Sequence, residues 1–132
     1  MEQDEQEIMM KLGFFEQQIR QIQQQIQAIE QGIIEMNSLN IGLEEIQGKK
    51  DEEIFAPLGR GIFAKAKLVS EELLVNVGSG NLVNKSIPET QKLIEEQIKK
   101  LEEIKIEMNN NLENLGKEME SMMMEARGKH EH

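Results

Sequence analysis

An apolar side chain recurs every third or fourth residue through the first third of this chain, and no other feature limits the possible folds as much. One series is Ile8, Phe15, Ile22, Ile29, Met36 and Leu43. The second is Leu12, Ile19, Ile26 and Ile33, continued by the polar Asn40 and Gln47. The steps alternate four and three, which is the seam of a coiled coil, with the first series at d and the second at a. Between these positions lie Gln17, Gln18, Gln21, Gln23, Gln24, Gln25 and Gln27. A Gln-rich stretch can be disordered low complexity, but the unbroken seam reads as helix. Gly48 after Gln47 supplies a stop. Residues 1–47 therefore form an N-terminal coiled-coil helix of about forty residues, roughly 60 Å long.

The last third repeats the pattern. Ile94, Leu101, Met108, Leu115 and Met122 take d; Ile98, Lys105, Leu112, Met119 and Ala126 take a. Ser86 and Glu89 have capping-box spacing, and Pro88 falls in the first turn, where its missing N–H costs nothing. The second helix covers 87–127, with Gly128 to His132 as a frayed tail.

Between the helices the period becomes two. Along Ile62 to Leu68, one face carries Ile62, Ala64, Ala66 and Leu68 and the other Phe63, Lys65 and Lys67, the mark of a half-buried strand. Leu73 to Val77 is a second strand, Gly78-Ser79-Gly80 a turn, Leu82 to Lys85 a third strand, and Val69 to Glu72 another turn. Ile54 to Ala56, before Pro57, is a short fourth strand. Gly59 and Gly61 around Arg60 indicate a bend or bulge.

A bare seam must be covered in water. Two helices flanking a compact insertion pair most simply as an antiparallel hairpin. With Gln47 level with Ile87, Leu12 meets Met122, Phe15 meets Met119, Ile22 meets Leu112, Ile33 meets Leu101 and Met36 meets Ile98. Each layer then joins an a position to a d position. Lys105 opposite Ile29 can send its ammonium to water along its stem. A slip of seven residues keeps the same phase; the common origin of both seams at the insertion favours this register. The β segment 54–85 has too little apolar surface for a core of its own and leaves strand edges open. The expected fold is thus α+β: one domain, 1–132, built as a coiled-coil hairpin whose two β-hairpins join subunits. Ile62, Ala64, Ala66, Leu68, Leu73, Val75 and Val77 form the expected oligomer interface.

The net charge of −10 makes nucleic acid and anionic lipid poor partners. Four Phe with no Trp or Tyr, alongside 30% charged residues, suit long helices better than an aromatic core. No Cys is present, which excludes disulfides and thiol catalysis and fits a reducing compartment. Met1 leads directly into charged residues, and no apolar run approaches the roughly 20 residues of a membrane span. A soluble, cytoplasmic protein is expected.

Met1, Met9, Met10, Met119, Met122, Met123 and Met124, seven of the nine Met residues, lie near the two chain ends, which the hairpin register brings together. Met9 and Met123 fall at e, Met10 and Met124 at f, and Phe14 at c, all pointing off the seam. Unbranched, polarisable Met suits varied apolar partners. Met9, Met10, Phe14, Met123 and Met124 are the candidate client-binding residues; the alternative is that another helix covers these methionines or that the ends are frayed.

No enzyme is expected. Gly78-Ser79-Gly80 lacks the third Gly of a dinucleotide fingerprint and any Lys-Ser/Thr pair, so it reads as a hairpin turn. His130 and His132 lack further ligands at metal-binding spacing. Glu44-Glu45, Asp51-Glu52-Glu53 and Glu71-Glu72 read as solvated faces and turns. No Ser/His/Asp or Cys/His set exists. No cofactor or metal is expected.

The middle segment resembles the alpha class of prefoldin subunits. The resemblance is carried by Pro57-Leu58-Gly59-Arg60-Gly61-Ile62-Phe63-Ala64-Lys65-Ala66-Lys67-Leu68, by Leu74-Val75-Asn76-Val77-Gly78-Ser79-Gly80, and by the start of the second helix. It implies a hexamer of two alpha and four beta subunits whose β segments form a double barrel. It also implies coiled coils that hold unfolded client proteins without ATP and pass them to a group II chaperonin. Divergent alpha-like subunits can assemble otherwise, even as filaments. A structural coiled-coil scaffold, or an adaptor subunit without general client binding, is the alternative.

Overall fold

The computed structural model describes residues 2–130. The element order is α1 (Glu2–Ile46), β1 (Glu53–Gly59), β2 (Ile62–Lys67), β3 (Leu73–Asn76), β4 (Leu82–Lys85) and α2 (Ile87–His130). Two compact units can be distinguished: Met1–Ile33 with Lys100–His132, and Ile34–Lys99. The expectations placed on Met1, on His132 and on the His130 side chain lie outside the described residues.

Every predicted a and d position of both helices from Ile8 to Leu43 and from Ile94 to Ala126 is buried or half-buried, and their immediate neighbours are mostly exposed. In the first unit the pairing is antiparallel. Lys105 Nζ lies 3.2 Å from Glu30 Oε1, beside its expected layer partner Ile29. A Cβ added at Gly32 would meet Leu101 Cδ1 at 3.7 Å. Ile22 and Leu115 line one shallow cleft, and Ile8 and Met122 another. These contacts fit the register with Gln47 level with Ile87 and exclude a slip of seven, which would carry Lys105 two helical turns from Glu30. Lys105 is the one charge among the α2 seam positions from Ile94 to Ala126; its partly exposed ammonium reaches the flanking carboxylate.

In the second unit the core is small. Leu43, Ile87 and Ile94 form its centre, with Met36, Ile46, Leu73 and Ile98 packed around them. Gln91 Nε2 donates to Glu44 Oε2 across the helix pair at 2.8 Å. Asn40 occupies an a position here. Its Oδ1 is buried with no hydrogen-bond partner among the described residues.

The helix ends follow local chemistry. α1 stops at Ile46, and Gly48 takes φ 79°, the left-handed cap conformation that glycine adopts without a Cβ penalty. The Gly48 N–H donates to the Glu71 carboxylate. At the start of α2, Ser86 Oγ accepts the Glu89 N–H at 3.2 Å, the N-cap half of a capping box. The far end departs from expectation: α2 continues through Gly128 to His130 rather than ending at 127. A helical Gly costs about 1 kcal/mol, and the cationic Arg127 in the last turn complements the helix dipole.

The insertion is two separate antiparallel hairpins, β1–β2 and β3–β4. β1 is longer than the expected Ile54–Ala56 and carries Pro57 into the ladder opposite Phe63. A two-stranded ribbon tolerates this because the missing N–H can face outward. Leu58 is the bulged residue, between Pro57↔Phe63 and Gly59↔Ile62. Arg60 (φ 52°) and Gly61 (φ 77°) form the turn, the pair of positive φ values that matches the twist of a two-residue hairpin. Val69–Glu72 links the two hairpins and does not pair β2 with β3. In the second hairpin the turn bonds run from Val77 N to Asn81 O and from Asn81 N to Gly78 O, both 3.0 Å. Asn76 Oδ1 accepts the Gly78 N–H.

Two substitutions separate the seam from its polar exception. Ile22→Ser should lower the thermal midpoint, because it removes apolar burial from a layer at a cost of about 1–3 kcal/mol. Asn40→Leu should raise stability by about 1–3 kcal/mol, since it removes a buried carbonyl that makes no hydrogen bond. Circular dichroism melts of both variants check the pair.

Candidate functional site

The seam covers one stripe of each helix, so apolar residues off that stripe remain in solvent. Near the start of α1, Met9 is 72%, Met10 75% and Phe14 60% exposed; near the end of α2, Met123 is 45% and Met124 67% exposed. Their seam neighbours Ile8, Leu12, Phe15, Met119 and Met122 are half-buried. Asp4, Glu7, Ile8 and Lys11 share a cleft with Met122 and Glu125, which brings both sets of methionines to one end of the first unit. The structure thus groups all five candidate client residues.

The expected assembly surface is less uniform. In β1–β2 the pairs Ile54↔Ala66 and Ala56↔Ala64 place Ile54, Ala56, Ala64 and Ala66 on one face, in line with Ile62 and Leu68. Ile62 is 60% exposed, and the two alanines leave room for close approach of another surface. In β3–β4, Leu73, Val75, Val83 and Lys85 share a face. Leu73 packs on the Leu43–Ile87–Ile94 core of its own chain, whereas Val77 is exposed.

Two surfaces escaped the sequence reading. The opposite face of β1–β2 carries Phe55, Pro57 and Phe63 with Lys65 and Lys67, and both phenylalanines are largely exposed. The alternation of Phe63 with two lysines had marked it as the polar side. Lys65 lies 3.6 Å from Glu53, an exposed pair of little energetic weight. The second surface is an apolar groove of about 820 Å³ in the second unit, lined by Met36, Leu39, Leu73, Val75, Leu93 and Ile94 among others. Its only sequence signal is apolar Leu39 and Leu93 at off-seam positions beside the insertion.

Among the described residues, no group of three or more His, Cys, Asp and Glu side chains could hold a metal ion. No described helix is long and apolar enough to cross a membrane.

Two long helices paired through an apolar seam and separated in sequence by two β-hairpins define a coiled-coil protein that presents apolar surface. Residues 15–132 match the protein-family model for prefoldin subunits. The chain is 31% identical over 121 residues to prefoldin subunit alpha of Methanobrevibacter smithii, covering 91% of this chain and 83% of that one. It is 33% identical over 117 residues to prefoldin subunit alpha 1 of Methanocaldococcus jannaschii, covering 88% and 80%. A cryo-EM structure of filamentous PFD from the latter organism shares the fold, with TM-score 0.76, 19% identity, and coverage of 86% of this chain and 96% of that chain. The chain belongs to the prefoldin family and to its alpha class. Prefoldins are chaperone subunits that form oligomers with other subunits of the family, and the family is not one of enzymes.

Placing a large charge on the alanine face tests whether it is the assembly surface. Ala64→Glu or Ala66→Glu should abolish oligomer formation while helix content is retained, because overpacking a close contact costs about 1–3 kcal/mol and the carboxylate adds desolvation. Light scattering and circular dichroism on the same sample check both halves of this outcome.

Proposed function

We propose that this chain is a subunit of an ATP-independent molecular chaperone that holds unfolded polypeptides at the end of its coiled coil. The observation that carries the proposal is the exposure of Met9, Met10, Phe14, Met123 and Met124 at one end of the first unit. Burying one Met side chain contributes about 1.5–3 kcal/mol at most, so a single contact holds nothing. Several such ends on one client make each later contact intramolecular, and the weak contacts combine.

The several ends come from assembly. The chain acts as one prefoldin-like domain, 1–132, and joins prefoldin beta subunits through a β platform built from residues 54–85, two alpha with four beta. The exposed Ile62 and Val77 and the small Ala64 and Ala66 support this reading. The likeness to a filamentous relative favours a second arrangement, in which the same hairpins join copies end to end. In either arrangement the client is protected from aggregation in the cytoplasm and passed to a group II chaperonin. Release follows transfer or dissociation, without nucleotide hydrolysis by this chain.

The experiment is suppression of aggregation of several unrelated denatured proteins by the assembled protein in the absence of ATP. Changing any one of the five residues to Ser should have little effect. Changing all five should abolish protection, with helicity and native mass intact because no a or d position is altered. Full protection by the five-site variant would place client binding elsewhere, first on the apolar faces of the β segment. Protection only in the presence of ATP would contradict the proposal.

A further inference from the structure

Four of the five exposed side chains at the tip are thioethers. Met9, Met10, Met123 and Met124 are 45–75% exposed, whereas the seam residues Met36, Met108, Met119 and Met122 are half-buried. The chain has no Cys, so no thiol competes for oxidant. Leu or Ile at these positions would supply comparable apolar area, without the adaptability of an unbranched thioether. What Met adds is a sulfur atom that a mild two-electron oxidant converts to a polar sulfoxide, and that a reductase converts back.

We propose that Met9, Met10, Met123 and Met124 form a peroxide-sensitive modification site, at which sulfoxide formation switches off client holding and reduction restores it. The proposal rests on the tip being the client surface. In the forward step a sulfur lone pair attacks one oxygen of a hydroperoxide. The S–O bond forms, the O–O bond breaks, and the leaving oxygen departs with a proton as water or an alcohol. The thioether loses two electrons and the peroxide gains them. In the reverse step a thiol-dependent methionine sulfoxide reductase returns two electrons; the oxygen leaves as water and two thiols become a disulfide. The sulfoxide is chiral, so full reversal needs both epimer-specific reductase classes.

The geometry separates the switch from the scaffold. The four methionines occupy e and f positions, so a polar oxygen on each leaves the a/d layers untouched. At Met119 or Met122 the same oxygen would enter the seam. Because client holding is the combined effect of several weak contacts, modest polarity at four of them lowers it multiplicatively.

The test uses the full-length chain in its assembled form, treated with dilute hydrogen peroxide. Site-resolved mass spectrometry should find more sulfoxide at Met9, Met10, Met123 and Met124 than at the half-buried Met36 and Met108. Aggregation suppression should fall as the exposed sulfoxide accumulates, with circular dichroism and native mass unchanged, and should return after treatment with both reductases. A variant carrying Met9→Leu, Met10→Leu, Met123→Leu and Met124→Leu should show no change in its protection on peroxide treatment, whatever its level beforehand. Full protection by a protein whose four exposed methionines are all sulfoxide would overturn the switch, as would equal loss of protection in the leucine variant or preferential oxidation of the seam. These outcomes stay distinct from failure of the client reading. That reading falls if the five-site serine variant still protects, whatever peroxide does.

Discussion

Every feature of this molecule depends on one apolar stripe that has to be kept from water. The helices are too polar and too poor in aromatic residues to build a globular core; among the described residues only four hydrophobic side chains, Ile26, Leu43, Ile87 and Ile94, are buried. What holds each unit together is a series of half-buried a/d layers, each modest. Stability built this way is local to each layer. A polar residue such as Asn40 or a charged one such as Lys105 can therefore sit in the seam without unravelling its neighbours, provided its charge reaches a partner as Lys105 reaches Glu30.

The same geometry produces the surface proposed to hold clients. A seam two positions wide per heptad leaves five positions free, and in most of the chain these carry Gln, Glu, Lys and Asn. Near the ends they carry Met9, Met10, Phe14, Met123 and Met124. Exposed apolar groups at e, f and c contribute nothing to pairing within the hairpin, so the fold gives no reason for them there. A surface for varied apolar segments does, and unbranched thioethers adapt to differently shaped partners.

The helical part was legible because its signal is redundant. Each seam residue repeats the same statement, and the Ser86 cap and the Gly48 stop mark the ends next to the insertion. The antiparallel register followed from one assumption about where both seams begin, and the Lys105–Glu30 contact fixes it. α2 runs to His130, past the expected end at 127, because one helical glycine costs little. The β segment was harder. Pro57 hid the length of β1, since proline usually ends a strand, and a bulge at Leu58 breaks the alternation that would have shown both faces of the hairpin to be apolar. The groove lined by Leu39, Leu73 and Leu93 was invisible because it joins residues from three elements, none of which shows a pattern on its own.

The central claim is that clients touch the end of the coiled coil rather than its shaft or the β segment. A photoreactive amino acid placed singly at Met10, at Met124, at Gln24 on the shaft and at Phe63 on β2 tests it most directly, with the assembled protein, an unfolded client and no ATP. The account predicts client adducts from positions 10 and 124 and background levels from 24 and 63. Dominant adducts from position 63 or 24, with positions 10 and 124 silent in a correctly assembled protein, would contradict it.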